Sequence, residues 1–152
     1  MRPNLKLILL CAGVAVALIA AGCGSDDGGG DDSSPELTKE EFITQADAIC
    51  ADGEAELTAA AEEQFGSATE PPSQKEQEEF ISTTVADNLQ SQLDQIRELN
   101  APDADEEQLN EILDSLQSLI DRARDEPAAV LAGEETGASE LAGEYGLTSC
   151  GS

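Results

Sequence analysis

Apolar side chains after position 36 recur at intervals of three and four residues, the spacing that gathers them on one face of an α-helix. The first such stretch opens with a capping box, in which the Thr38 hydroxyl can accept from the Glu41 amide while Glu41 reaches back. Gly66 is suited to end this helix, and Gly53 is its weakest helix former. Its apolar face comprises Phe42, Ile43, Ala46, Ile49, Cys50, Leu57, Ala60 and Phe65.

Two more helices are predicted downstream. The second begins after Pro71 and Pro72 with another capping box, Ser73 with Glu76, and extends to about Asn100. Its apolar face comprises Phe80, Ile81, Val85, Leu89, Leu93, Ile96 and Leu99. The third starts near Asp103, with acids in the first turn, where one can cap the helix and the helix dipole favours negative charge. Its apolar face comprises Leu109, Ile112, Leu113, Leu116, Leu119, Ile120 and Ala123.

Beyond Pro127 the helical pattern weakens to two short pieces, residues 128–132 and 139–145. Gly146 suits a left-handed cap after the second piece, with Leu147 folding back onto it. The short connection at 100–102 makes the second and third helices antiparallel neighbours. Residues 37–152 are therefore predicted to form an acidic all-α domain: an antiparallel, up-down-up three-helix bundle whose fourth position is partly filled by the short C-terminal helices.

The N-terminus has a different pattern. Arg2 and Lys6 precede an uncharged apolar run of 15 residues, positions 7–21. This run is shorter than the roughly 20 apolar residues that a membrane-spanning helix needs, so it predicts an export signal. Small residues at 20–22 then lead directly to Cys23, which suits a peptidase that accepts an extended backbone.

This arrangement resembles the signal sequence and lipobox of bacterial lipoproteins, with Ala20 in place of the commoner leucine. The resemblance covers residues 1–23. It implies that residues 1–22 are a signal peptide and that Cys23 carries a diacylglycerol with acyl chains such as palmitate. The implied location is the extracytoplasmic face of the cell membrane, with the protein anchored by this lipid. Two alternatives stay open: an unmodified Cys23 thiol after an ordinary signal cut, and an uncleaved anchor.

Residues 24–36 are rich in Gly, Asp and Ser and contain no large apolar side chain, so they cannot offset the entropy lost on ordering. With Cys23 they predict a disordered tether, residues 23–36, with a root-mean-square length of about 20 Å. Their aspartates lack the spacing of an EF-hand calcium loop. The acids between 103 and 114 lack it as well, because Gln108 stands where the loop turn requires glycine.

Of the four cysteines, Cys11 lies in the signal peptide and Cys23 is assigned to the lipid. Cys50 and Cys150 remain, an even pair that predicts a structural disulfide in an oxidising exterior. Such a bridge would close a loop of about 100 residues, worth roughly 4.7 kcal/mol in the chain-entropy treatment. Two free thiols or a redox pair are the alternatives, although no Cys-x-x-Cys motif or neighbouring base would activate a thiolate.

The chain has 33 acidic and 7 basic residues, a formal net charge of -26, and no histidine. The lack of histidine excludes Ser/His and Cys/His catalytic pairs, histidine zinc sites and ordinary haem pockets. The charge argues against nucleic acid as a partner. Adjacent acids lie on polar helix faces where carboxylates stay solvated. We therefore expect no catalytic, cofactor-binding or metal-binding residue beyond weak condensation of divalent cations on the surface.

These observations predict a non-enzymatic interaction or ligand-binding module, with the membrane, through the lipid on Cys23, and an envelope protein or a cationic ligand as partners. The alternative is a carrier or scavenger of a small apolar or cationic ligand, with an apolar pocket between the short C-terminal pieces and helices one and two. A hydrolase using two carboxylates is a third possibility, and it would require one carboxyl group with a raised pKa.

Overall fold

The computed structural model describes residues 35–134 and 137–150, and all regular structure in these ranges is helical. The elements are α1 (Lys39–Phe65), α2 (Gln74–Phe80), a π-helical turn (Ile81–Val85), α3 (Ala86–Arg97), a 3-10 turn (Asp103–Asp105), α4 (Glu106–Asp125), α5 (Pro127–Leu131) and α6 (Ala138–Tyr145). None of the helices in these ranges is both apolar enough and long enough to span a bilayer. The predicted signal peptide, Cys23 and the tether up to residue 34 lie outside the described residues.

Both predicted capping boxes are present. The Glu41 amide donates to Thr38 Oγ1 at 3.3 Å, and Glu41 Oε2 accepts from the Thr38 amide at 3.0 Å. Ser73 and Glu76 form the same pair of bonds at the start of α2. Hydrogen bonds from the Thr38 backbone and hydroxyl lower the pKa of Glu41, and those from the Ser73 hydroxyl and backbone lower that of Glu76. The local sequence therefore fixes where these two helices begin.

The predicted second helix is helical from Gln74 to Arg97, but the π-helical turn interrupts its α-helical pattern. Within that turn the Thr83 hydroxyl donates to the Glu79 carbonyl at 2.7 Å. A π turn inserts extra backbone and rotates the residues that follow. Ala86 is consequently fully buried, whereas Val85, which the α-helical spacing placed on the apolar face, is half-buried.

Helix α4 is preceded by a 3-10 turn rather than starting at Asp103. The side chain of its N-cap residue, Asp105, makes no capping hydrogen bond. The Asp103 amide instead donates to the Glu36 carboxylate at 2.7 Å, so an acid from upstream of α1 satisfies this turn. The Asp105 carboxylate instead contacts Tyr145 and Lys39. An acid caps this end of the bundle, but it comes from a distant part of the sequence.

Helix α3 packs against both α1 and α4, and α6 packs on α4. The predicted bundle is therefore confirmed. The C-terminal segment is part of the core, because Ala142 and Tyr145 of α6 and the following Leu147 belong to the buried cluster. That cluster comprises Phe42, Ala46, Cys50, Ile96, Leu109, Ile112, Ala142, Tyr145 and Leu147.

The predicted cap of α6 is also confirmed. Gly146 has a φ of +112°, in the left-handed region that glycine tolerates. Its amide donates to the Gly143 carbonyl at 3.1 Å, and the Leu147 amide donates to the Ala142 carbonyl at 2.9 Å. This pair of bonds is a Schellman motif, and it turns Leu147 into the core, where it is 2% exposed.

Candidate binding cleft

A cleft of about 250 Å³ lies between the C-terminal end of α3 and the first half of α4, beside Phe42 of α1. Its floor is apolar and is formed by Phe42, Ile96, Leu109 and Leu113. On α4, residues at intervals of four form rows along the helix, so the row of Glu106, Asn110 and Asp114 borders the row of Leu109 and Leu113. The cleft is therefore apolar at its base and polar at its rim, which is formed by Arg97, Glu106, Asn110 and Asp114.

A second cavity, of about 30 Å³, lies behind the same floor and shares its four residues. It extends between α4 and α6, where Ala142 and Leu147 line it. Its surface is mostly apolar, so a water molecule there would find few hydrogen-bonding partners. The floor of the cleft is thus backed by unfilled apolar space, into which its side chains can shift.

The rim of the cleft carries more negative than positive charge. Arg97 lies 3.9 Å from Asp94 and donates to the Gln117 amide oxygen at 3.5 Å. Glu106 and Asp114 form no ion pair with any base among residues 35–134 and 137–150. Among the described residues, the rim therefore has one base, which contacts Asp94 and Gln117, and two carboxylates without a cationic partner.

Tyr145 forms a polar cluster with Lys39 and Asp105 behind the cleft floor. Its hydroxyl donates to Asp105 Oδ2 at 2.9 Å, and Lys39 Nζ lies 3.6 Å from the same oxygen. The ammonium also lies 3.9 Å from the centroid of the Tyr145 ring, whose edge meets Phe42. Burial, with the hydrogen bond and charge of Asp105, raises the pKa of Tyr145. The cluster ties α1, the start of α4 and α6 together through a phenol that stays protonated.

The C-terminal segment is fastened to α1 by a group of contacts that we call the C-terminal clasp: Asp47, Thr148, Ser149 and the disulfide. The predicted bond between Cys50 and Cys150 is present, with their Cα atoms 5.1 Å apart. Asp47 accepts from the Thr148 hydroxyl and the Ser149 amide, each at 2.8 Å. Burial raises the pKa of Asp47, but the hydrogen bonds from Ser149, Thr148 and Cys150 outweigh it, so the pKa is lowered.

The sequence also raised the questions of a metal site and of an apolar pocket near the short C-terminal helices. Within the described ranges, no three Asp, Glu or Cys side chains converge to hold a metal ion. The acids between 103 and 114 belong to the 3-10 turn and the start of α4, as the helix prediction required. The apolar pocket expected between the short C-terminal pieces and helices one and two corresponds to the cavity of about 30 Å³, which Phe42 of α1, Ile96 of α3 and Ala142 of α6 line. A larger groove, of about 240 Å³, lies between the short C-terminal helices and Leu119 of α4.

Sequence patterns did not identify the Tyr145 cluster, Asp47 or the cleft. Tyr145 is the only tyrosine of the chain, and Lys39 is a base in a first helical turn, where the dipole disfavours it. These two features of the sequence are the ones that could have pointed to the Tyr145 cluster. Comparison with known proteins adds nothing further: no protein family, no curated protein and no solved structure matches this chain.

Proposed function

We propose that this protein is a lipid-anchored, extracytoplasmic binding module without enzymatic activity, and that its acidic domain binds a cationic partner. The main support for an extracytoplasmic location is the Cys50–Cys150 disulfide. Disulfides form and persist in oxidising compartments and are rare in the cytosol. The lipoprotein-like signal over residues 1–23 supports the same location independently.

The anchor we propose is the diacylated Cys23. Two acyl chains give stable membrane attachment, whereas a single chain gives only marginal binding. Residues 24–36 then act as a spacer of about 20 Å. Acidic surfaces are repelled by anionic lipid headgroups, so this spacer and the negative charge together hold the domain away from the membrane.

The charge distribution supports a cationic partner. Downstream of Cys23 the chain has five bases, and four of them are already in ion pairs within the domain. These pairs are Lys39–Asp105, Arg97–Asp94, Arg122–Glu134 and Arg124–Asp87. The remaining carboxylates produce a negative field that accelerates encounter with cations and disfavours nucleic acid.

The side chains that the chain offers for catalysis support the proposal that it is not an enzyme. The chain has no histidine, and its only tyrosine is held protonated by burial and by Asp105. The two cysteines of the domain are joined in a disulfide and are not available as thiolate nucleophiles. A second candidate function, a carrier of a small cationic ligand, is favoured by the cleft between α3 and α4 and is developed below.

Mass spectrometry of the protein purified from membranes tests the anchor. The expected product lacks residues 1–22 and carries a diacylglycerol on Cys23. Cys23→Ser should yield no lipidated product, whereas Cys11→Ser, the matched control within the signal, should be processed normally. A full-length, unmodified chain in the cytosol would contradict both the anchor and the location.

A further inference from the structure

We propose that the cleft between α3 and α4 is a binding site for a small amphipathic cation, an ammonium group on a compact apolar body. This inference deepens the proposed function, since it assumes a binding module for a cationic partner, but it does not depend on the lipid anchor. The cleft, at about 250 Å³, is slightly smaller than the pockets that enclose drug-sized ligands. It therefore fits a body such as a phenylethyl group.

The floor supplies the affinity for the apolar body. Phe42, Ile96 and Leu109 are each at least 95% buried and form the packed base of the cleft, while the half-buried Leu99 beside them presents apolar surface that a ligand can contact. Leu113, which is half-buried, forms the outer part of the floor. The unfilled apolar space behind these residues lets them shift toward the interior when the cleft is occupied.

The rim selects for positive charge. Glu106, Asn110 and Asp114 follow one another at intervals of four residues and form a single row along α4. Both carboxylates lack an ion-pair partner in the described part of the chain. Glu106 and Asp114 are about 12 Å apart along the helix, so an ammonium pairs with one of them and is attracted more weakly by the other. An anion is repelled by both and by the net charge of -26.

Arg97 does not reverse this preference. It stands at the edge of the same cleft but is shared between Asp94 on its own helix and Gln117 on α4. Both contacts use Nη1 of Arg97, so its other N–H groups could still meet an anionic head group, but Asp94 and the two rim carboxylates would repel that group. A neutral analogue would use the floor alone and should bind more weakly than the cation.

Ligand-observed NMR titration of the mature protein in zwitterionic nanodiscs tests the site, with empty nanodiscs as the blank. The probes are phenylethylammonium, 3-phenylpropanol, 3-phenylpropanoate and ethylammonium, which separate the apolar body from the charge. Phenylethylammonium should show saturable binding, and each of the other probes should bind at least fivefold more weakly. Equal or tighter binding of the carboxylate, or no saturable binding of the cation, would overturn the proposal.

Matched variants of α4 localise the binding. Glu106→Gln with Asp114→Asn should weaken binding of phenylethylammonium by about two- to fivefold, as for an exposed ion pair. Glu107→Gln with Glu111→Gln removes the same charge from exposed positions outside the cleft and should change binding less than twofold. Equal weakening by both pairs would show a general field effect and refute the site.

Filling the cleft provides an independent check. Ala101, half-buried at its edge, can be replaced by phenylalanine, which should abolish binding while an unchanged melting temperature shows that the fold is intact. Unchanged binding by Ala101→Phe would refute the site.

The proposals for the anchor and for the binding site can be refuted independently. A lipidated protein that does not bind the cation refutes only the site. Cation binding by an unlipidated cytosolic chain refutes only the location.

Discussion

Breaking the Cys50–Cys150 disulfide should strongly destabilise the domain. The bond joins residues separated by 100 positions, and cross-linking a loop of this size removes about 4.7 kcal/mol of chain entropy from the unfolded state. Unfolded-state structure reduces this value, so we expect the double substitution Cys50→Ala with Cys150→Ser to cost about 3–5 kcal/mol. For a domain of this size that corresponds to a melting temperature lower by roughly 10–20 °C.

Thermal and urea unfolding followed by circular dichroism measure this effect. Reductant should lower the stability of the wild-type chain to that of the double variant and leave the variant unchanged. The urea m-value should rise when the bond is absent, because an unfolded chain without the cross-link is more expanded. The chain-entropy reasoning is refuted if wild-type and variant unfold at the same temperature and urea concentration with and without reductant.

The Asp47 hydrogen bonds add a second, pH-dependent part of the C-terminal clasp. Asp47→Asn should cost about 1–2 kcal/mol at neutral pH, since it weakens bonds to Thr148 and Ser149. The folded-state pKa of Asp47 lies below its ordinary value of 3.8, so this contribution is present above that pH and is lost as pH falls through the folded-state pKa. A difference between wild-type and variant that grows below pH 3.8 would contradict the assignment.

Two further predictions concern residues in the bundle interior. Tyr145→Phe removes the donor to Asp105 and should cost about 0.5–1.5 kcal/mol in urea unfolding, and tyrosinate absorbance of the wild-type chain should rise only above pH 10 until the fold is lost. Gly53→Ala should be destabilising by about 1 kcal/mol although alanine favours helix, because its Cβ would overlap the buried Gln92 side chain. In a Gln92→Ala background the same change should stabilise by about 1 kcal/mol, and a loss there would refute the overlap.

The parts of the fold that were predicted from sequence depend on local interactions. The capping boxes at Thr38 and Ser73 need only residues three positions apart, and the Gly146 cap needs only its neighbours. The disulfide was predictable because only two cysteines remained once the N-terminal pair was assigned. The π-helical turn was not predictable, because α-helical spacing assumes a constant rotation per residue and this segment departs from it.

The cleft could not be predicted for a different reason. Glu106 and Asp114 have the spacing of an ordinary solvated helix face, and nothing local distinguishes them from Glu107 or Glu111. Their position beside an apolar floor depends on how α4 is rotated against α3, which long-range packing decides. The Tyr145 cluster depends in the same way on contacts between residues that are distant in sequence: Asp105 lies 40 positions from Tyr145, and Lys39 lies 106 positions from it.

The first described residues of the chain contact the domain beside the cleft. The Leu37 amide donates to the Asn100 carbonyl at 2.9 Å, and Glu36 caps the 3-10 turn at Asp103. Ala101, between these two contacts, lines the cleft. If residues 23–36 tether the domain through Cys23, as we propose, the tether joins the domain at the mouth of the cleft.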